Sequence, residues 1–224
     1  MMTIYILYQD PQKTAEYLDD KSLDKQIKDI AQVLCNVHHL ESDYINEPDY
    51  FDDGIPLDYS LHPIKIRSNQ DWVFWARECK ANYLYLVELA IHLIKEAVYR
   101  KQVFLTNPSK YEKIIFWARD NVPDLPSNCH SCALCYNETN EGCKFCQKFP
   151  VLPLIMPKKY IYDNSYSCHI SDPNEEKEYT MNSLTCSYRN YYQAKLHNSM
   201  LAYLRDDKQK PTWTNRNQPE WIEL

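Results

Sequence analysis

The chain has 224 residues, of which 44% are hydrophobic and 25% charged, a balance typical of a folded globular protein. The net charge of −6 argues against a general DNA-coating protein, although it leaves room for a local basic cleft. The sequence holds only two glycines, which excludes the glycine-rich phosphate loops of dinucleotide-binding and P-loop proteins. With no run near the roughly 18 apolar residues of a membrane span and no signal-peptide pattern, we expect no membrane partner and a cytoplasmic location.

Most of the predicted elements are helices. Residues 2–8 are β-prone and are predicted to form a short strand. Asp10 as N-cap, with Pro11 in the first turn, predicts a short helix to about Asp19. Apolar residues at helical spacing then predict four more helices. These helices cover about 21–39, 69–101, 109–119 and 182–205, with an acidic loop over 41–63 and irregular chain after 205.

Five of the nine cysteines fall within an 18-residue stretch, CHSCALCYNETNEGCKFC. Each C-x-x-C knuckle presents two thiolates from one tight turn, so two knuckles can surround a tetrahedral Zn²⁺. Four thiolates close the coordination shell, which predicts a structural zinc without chemistry of its own. The choice of four ligands stays open among Cys129, Cys132, Cys135, Cys143 and Cys146, with His130 a weaker candidate.

The remaining cysteines, Cys35, Cys79, Cys168 and Cys186, are interpreted as buried apolar side chains in a reducing compartment. The fold expected is mainly α: one helical domain over residues 1–224, with a short N-terminal β-strand. The cysteine-rich, zinc-binding insert is expected over residues 127–148.

The second predicted helix carries a polar face opposite its apolar stripe, with His38 on the rim of that stripe. One interpretation is a solvated helix with an ordinary Lys25–Asp29 pair. The other is the wall of a cleft, in which a carboxylate between lysines transfers protons or stabilises positive charge. Spacing does not decide between them. The residues of this face are Lys21, Lys25, Asp29, Gln32, Asn36 and His39.

Several motifs resemble a family of uncharacterised phage and large-virus proteins. Residues 20–38, DKSLDKQIKDIAQVLCNVH, are similar to that family's D-K-H-V-V-K-x-x-x-E-x-A-Q-L-L-x-x-x-H. The other shared motifs follow in the same order along nearly the whole chain. They are an opening strand with D-P (4–7 and 10–11), H-P (62–63), WARECKANY (75–83), P-x-x-M-P (153–157), Y-R-x-Y-Y (188–192) and P-E-W (219–221).

That family is in turn distantly similar to pyrimidine-dimer DNA glycosylases of the endonuclease V type. The resemblance implies that an N-terminal α-amine attacks C1′ of the damaged nucleotide and that a glutamate supports base release and strand cleavage. By spacing, Asp29 takes the place of that glutamate and Ser22 that of the motif histidine. The amine would come from Met1, Met2 or Thr3, or else from Lys21 or Lys25.

The expected function is therefore a viral DNA glycosylase/AP-lyase-like protein of the host cytoplasm that acts on a damaged or modified base. The alternative is a zinc-stabilised binding protein, without enzymatic activity, that captures a nucleotide or a host protein. Asp29, Lys21 and Lys25 are the candidate catalytic residues. Stacking or phosphate contacts could come from the tyrosine-rich helix, although its aromatic residues favour helix packing over that role. The candidate substrate-binding residues are Gln32, His38, His39, Arg77, Tyr188 and Arg189.

Overall fold

The computed structural model describes residues 4–8, 10–41, 71–100, 108–127, 179–206 and 210–222. In these residues the fold is mainly helical, which confirms the predicted class. The predicted zinc cluster and residues 42–63 of the predicted acidic loop lie outside them, whereas Glu41 is the last residue of a helix. The helices are α1 (Pro11–Tyr17), α2 (Asp20–Glu41), α3 (Asp71–Glu78), α4 (Lys80–Tyr99), α5 (Pro108–Asp120) and α6 (Tyr179–Asp206).

Helix α1 begins as the sequence predicts. The Asp10 carboxylate accepts a hydrogen bond from the main-chain N–H of Gln12 at 2.8 Å, and Pro11 occupies the first turn. This cap satisfies one of the donors that a helix start leaves without an intrahelical partner. The helix ends after Tyr17, where Leu18 has an extended backbone.

Helices α2 and α4 pack against each other at the centre of the described fold, and both contact α3 and α5, while α1 packs against α4. The predicted apolar stripe of α2 is buried throughout, so the amphipathic pattern identified the core face correctly. Burial of side chains of this size stabilises the fold by about 1.5–3 kcal/mol each. The stripe consists of Leu23, Ile27, Ile30, Val33, Leu34 and Val37.

The predicted helix over residues 69–101 is instead two helices. Cys79 has an extended backbone (φ −159°, ψ 160°) and stands as the N-cap of α4. The N–H of Lys80 donates to the carbonyl of Pro126 at 2.9 Å, outside the helix. The Asn82 amide donates to the Trp75 carbonyl at 2.7 Å and so closes the end of α3. These contacts depend on the tertiary structure, so the break between the two helices cannot be predicted from helical periodicity.

Residues 4–8, here called the N-terminal segment, pair with no strand in the described part of the chain. Their main-chain groups bond to side chains instead. The Gln26 amide accepts a hydrogen bond from the N–H of Tyr5 and donates one to its carbonyl. The Thr14 hydroxyl likewise accepts from the N–H of Tyr8 and donates to its carbonyl. Arg189 donates to the carbonyl of Leu7. Because these polar groups are satisfied, the apolar side chains of the segment can lie in the core.

Residues 210–222, here called the C-terminal segment, form hydrogen bonds to Asp20 at the start of α2. The Asp20 carboxylate accepts from Thr212 Oγ1 at 2.8 Å, Thr214 Oγ1 at 2.7 Å and Arg100 Nη1 at 3.0 Å. Burial alone would raise the pKa of Asp20, but the hydrogen bonds from Thr214, Thr212 and Arg100 hold it below its ordinary value. The charged form of Asp20 therefore stabilises the fold.

Candidate functional site

The Asp29–Lys25 pair on α2 joins a buried acid to an exposed amine. The two residues lie one helical turn apart, and Lys25 Nζ donates to Asp29 Oδ2. The Lys25 side chain is 55% exposed, whereas that of Asp29 is only 12% exposed. The pair thus places a carboxyl group at the boundary between core and solvent, with an ammonium group on its open side.

Burial raises the pKa of Asp29 above its ordinary value. The hydrogen bond and charge of Lys25, with the charge of Lys28, oppose this effect without cancelling it. A carboxylate with a raised pKa holds a proton more readily and is a stronger base. Such perturbed carboxyl groups are typical of proton-transfer sites, although packing alone also produces them.

The N-terminal segment lies beside Asp29. The Gln26 amide accepts from the Tyr5 N–H at 2.9 Å and donates to the Tyr5 carbonyl at 3.0 Å, and both bonds are buried. Burial raises the pKa of the Tyr5 hydroxyl, and the negative charges of Asp19 and Asp29 add to that effect. Tyr5 therefore belongs to the surroundings of Asp29. Sequence reasoning missed both Tyr5 and Gln26, because the first fell in the predicted strand and the second belonged to neither the polar face nor the apolar stripe of the predicted helix.

A second buried carboxylate lies at the start of α2. The Tyr192 hydroxyl donates to the Asp19 carboxylate at 2.7 Å and accepts from the Asp19 N–H at 2.6 Å. The Ser22 side chain lies near the same hydroxyl and acts to lower its pKa, while burial raises that pKa. Ser22 stands where the resembling family has histidine, and here it belongs to a structural contact between α2 and α6.

Three lysines form an exposed stripe on α2 beside the buried carboxyl: Lys21, Lys25 and Lys28. Their spacing of four and three residues places them on neighbouring turns. A row of ammonium groups of this kind can contact successive phosphates of a nucleic acid. Although the whole chain is acidic, the exposed residues of α2 next to Asp29 thus include three lysines.

The polar face of α2 continues beyond Asp29. Gln32 is half-buried, and Asn36 is fully buried. Within the described residues neither amide atom of Asn36 has a hydrogen-bond partner. An unsatisfied buried amide is costly, at about 1–3 kcal/mol. The backbone of His39 lies in the same helix, but its side chain is not among the described ones.

His38 and Asp29 do not share a site. Nine residues separate them, which at about 100° per residue places them on opposite sides of α2. His38 Nε2 lies 2.7 Å from the Tyr83 hydroxyl, and its ring packs on Trp117 with centroids 4.5 Å apart. His38 therefore belongs to the packing between α2, α4 and α5.

The three remaining substrate-binding candidates lie on other helices. Arg77 is half-buried at the end of α3. Tyr188 is fully buried in α6. Arg189 is also buried, with its Nε 2.8 Å from the carbonyl of Leu7 and its guanidinium over the rings of Tyr8 and Trp221 at 5.3 Å each. In this arrangement Arg189 holds the N-terminal segment in place.

The structure does not test the zinc prediction. The candidate ligands Cys129, Cys132, Cys135, Cys143 and Cys146 lie outside the described residues. Among the described residues, no three histidine, cysteine, aspartate or glutamate side chains are placed to hold a metal ion.

The scattered cysteines differ from one another in bonding. Cys35, Cys79 and Cys186 are all buried, as expected. Cys186 is disulfide-bonded, which corrects its interpretation as a simple apolar thiol, while the reducing compartment stays a prediction. Cys168 lies outside the described residues.

Comparisons of the chain with family models, with curated proteins and with solved structures found no match. In the described part of the chain, none of the helices combines the length and apolarity required to cross a bilayer. The function of the protein is therefore inferred from the geometry around Asp29 and from the motifs of the sequence.

Proposed function

We propose that the protein is a DNA glycosylase/AP-lyase-like enzyme of viral type that acts on a damaged or modified base, with Asp29 as its proton-transfer group. The observation that carries this proposal is the buried Asp29 carboxyl in hydrogen-bond contact with the Lys25 amine. The motif resemblance places a catalytic carboxylate at the same position of the chain.

The reaction needs an unprotonated amine next to a carboxyl group. The amine nitrogen bonds to C1′ of the target nucleotide as the glycosidic bond breaks, and the departing base takes up a proton. The sugar then opens at its C1′–O4′ bond, which gives a Schiff base. An ammonium ion is not a nucleophile, so a base must first remove its proton. Asp29 is suited to this step, because burial raises its pKa and Lys25 already donates to it.

Two amines are candidates for the attack. Lys25 is bonded to Asp29, and the motif resemblance implies an N-terminal α-amine as the other candidate. The exposed stripe of Lys21, Lys25 and Lys28 would bind the phosphates that flank the target nucleotide. Binding through this stripe predicts an affinity for DNA that falls steeply with added salt.

The test is borohydride trapping with oligonucleotides that carry a pyrimidine dimer, an abasic site or a modified base. Wild-type protein is expected to form a covalent adduct, and peptide mapping identifies the amine. Asp29→Asn is expected to slow base release about 100-fold or more, within the range for loss of a general acid or base. Lys25→Gln is expected to abolish trapping if Lys25 is the nucleophile, and Lys21→Gln to weaken DNA binding only.

The matched control is Asp24→Asn. Asp24 lies on the same helix, is half-buried, and also has a pKa raised by burial, with Lys28 opposing that effect. This variant is expected to keep wild-type trapping and base release. If wild-type protein gives neither an adduct nor base release across the substrates, the enzymatic proposal is wrong. Nucleotides and host proteins are then the ligands to screen, since a zinc-stabilised binding protein is the alternative.

A further inference from the structure

A single side-chain amide holds the N-terminal segment to α2. Gln26 bonds to both main-chain polar groups of Tyr5, as a neighbouring strand would in a β-bridge. Both bonds are buried, and Gln26 is 1% exposed. A buried main-chain N–H or carbonyl that loses its partner is costly, so an apolar side chain at this position could not hold the segment in the same place.

Gln26 precedes Asp29 by three residues and therefore lies on the adjacent turn of α2. The Tyr5 ring packs against Tyr192 and Tyr191, with centroids 4.9 and 5.9 Å away. Tyr5 and Asp29 are also close enough for their charges to interact. Tyr5 is thus fixed between α2 and α6, at the residue of α2 that precedes Asp29 by one helical turn.

We propose that Gln26 is a positioning residue for Asp29: its two bonds to Tyr5 hold the N-terminal segment over the carboxyl and keep water from it. Gln26 does not touch the reacting atoms and acts through Tyr5. An effect of Gln26 on catalysis rests on the function proposed above. An effect of Gln26 on the exposure of the Asp29 carboxyl to water does not.

The test is to follow the Asp29 carboxyl by carbon NMR during an acid titration, with Asp29→Asn to assign its signal. In Gln26→Leu, water gains access to the carboxyl and the pKa of Asp29 is expected to fall by about one unit, which is a tenfold change in its protonation equilibrium. The midpoint of the acidic limb of the pH–rate profile should move to lower pH by the same amount. A variant with a merely structural defect would lose activity without this displacement.

Two further variants keep the proposal falsifiable. Gln26→Asn keeps the amide but is one methylene too short to reach both groups of Tyr5, so the same shift is expected should Gln26→Leu fail to fold. Gln12→Leu replaces an exposed glutamine whose side chain bonds to Glu16 on α1, and it should leave Asp29 unchanged.

The outcomes separate the two proposals. An unchanged Asp29 pKa in a folded Gln26 variant overturns the positioning role. A displaced pKa, in a protein whose wild type neither traps DNA nor releases a base, supports the positioning role and overturns the proposed function.

Discussion

The Glu96→Gln substitution gives a direct test of how the C-terminal segment is held. The Glu96 carboxylate on α4 accepts from Arg100 Nε at 2.7 Å and from Arg216 Nε and Nη2 at 2.9 and 2.8 Å. The side chains of Glu96 and Arg100 are 6% and 0% exposed, so water cannot replace a lost partner. The substitution keeps the shape of the side chain but removes its charge, and its NH₂ group then faces the guanidinium donors.

Removal of one partner from a buried ion pair costs about 3–5 kcal/mol. The lower end of that range is expected, because Arg100 retains the Asp20 carboxylate at 3.0 Å and the carbonyls of Leu18 and Glu16 at 2.8 and 2.9 Å. For a chain of this size, a loss of about 3 kcal/mol lowers Tm by roughly 6–12 °C.

The loss should also depend on pH. Burial alone would raise the pKa of Glu96, but hydrogen bonds from Arg216 and Arg100 hold it below its ordinary value. A depressed carboxyl pKa stabilises the folded state above the unfolded-state pKa, and this contribution disappears as the pH falls through the folded-state pKa. Wild type and Glu96→Gln should therefore differ most near neutral pH and converge in acid.

Urea unfolding at pH 7 and at acidic pH measures both effects, with exposed Glu88→Gln on the same helix as the control. The control is expected to change stability by less than about 0.5 kcal/mol, as is usual for surface substitutions. A Glu96→Gln variant that loses less than about 1 kcal/mol at pH 7, or loses the same amount at every pH, would refute the reasoning.

Three further predictions concern other contacts. Tyr192→Phe leaves two buried polar groups of Asp19 without their partner and should cost about 1–3 kcal/mol in urea unfolding; wild-type stability would contradict this contact. Asp20→Asn should speed hydrogen exchange at the Thr214 amide, and unchanged exchange would mean that the carboxylate does not hold the C-terminal segment. Metal analysis should find one zinc per chain and its loss in Cys143→Ser; metal-free wild type would refute the structural zinc.

Much of the fold could be predicted because it follows from local patterns. The Asp10–Pro11 start of α1 and the apolar stripe of α2 depend on neighbours a few residues away, and both are confirmed. The break at Cys79 could not be predicted. It depends on Pro126, which lies far along the chain and accepts from Lys80. The same holds for the N-terminal segment, whose β-prone composition gave no sign that side chains would bond its main chain.

In the candidate site, too, contacts within one helix could be predicted, whereas burial by other segments could not. Helical spacing correctly joined Lys25 to Asp29, since both lie on one helix. The depth of burial of Asp29 could not be read from that helix, because it depends on the segments packed against it. Arg189 shows the converse: an arginine among tyrosines suggests a phosphate contact, but its guanidinium lies buried between Tyr8 and Trp221.

Two aspartates of α2 show why position within a motif does not decide a residue's role. Asp20 receives hydrogen bonds from Thr212, Thr214 and Arg100, and these donors outweigh burial and lower its pKa. Asp29 is more deeply buried and receives its bond from Lys25, whose ammonium group is largely in solvent, so burial prevails and its pKa is raised. A carboxylate surrounded by donors is stable in its charged form and is unsuited to accept a proton. A carboxyl group whose hydrogen-bond partner is an exposed amine can exchange a proton. The balance of donors and burial therefore explains why the pKa of Asp20 is lowered and that of Asp29 is raised, and it supports the proposal that Asp29 rather than Asp20 transfers a proton.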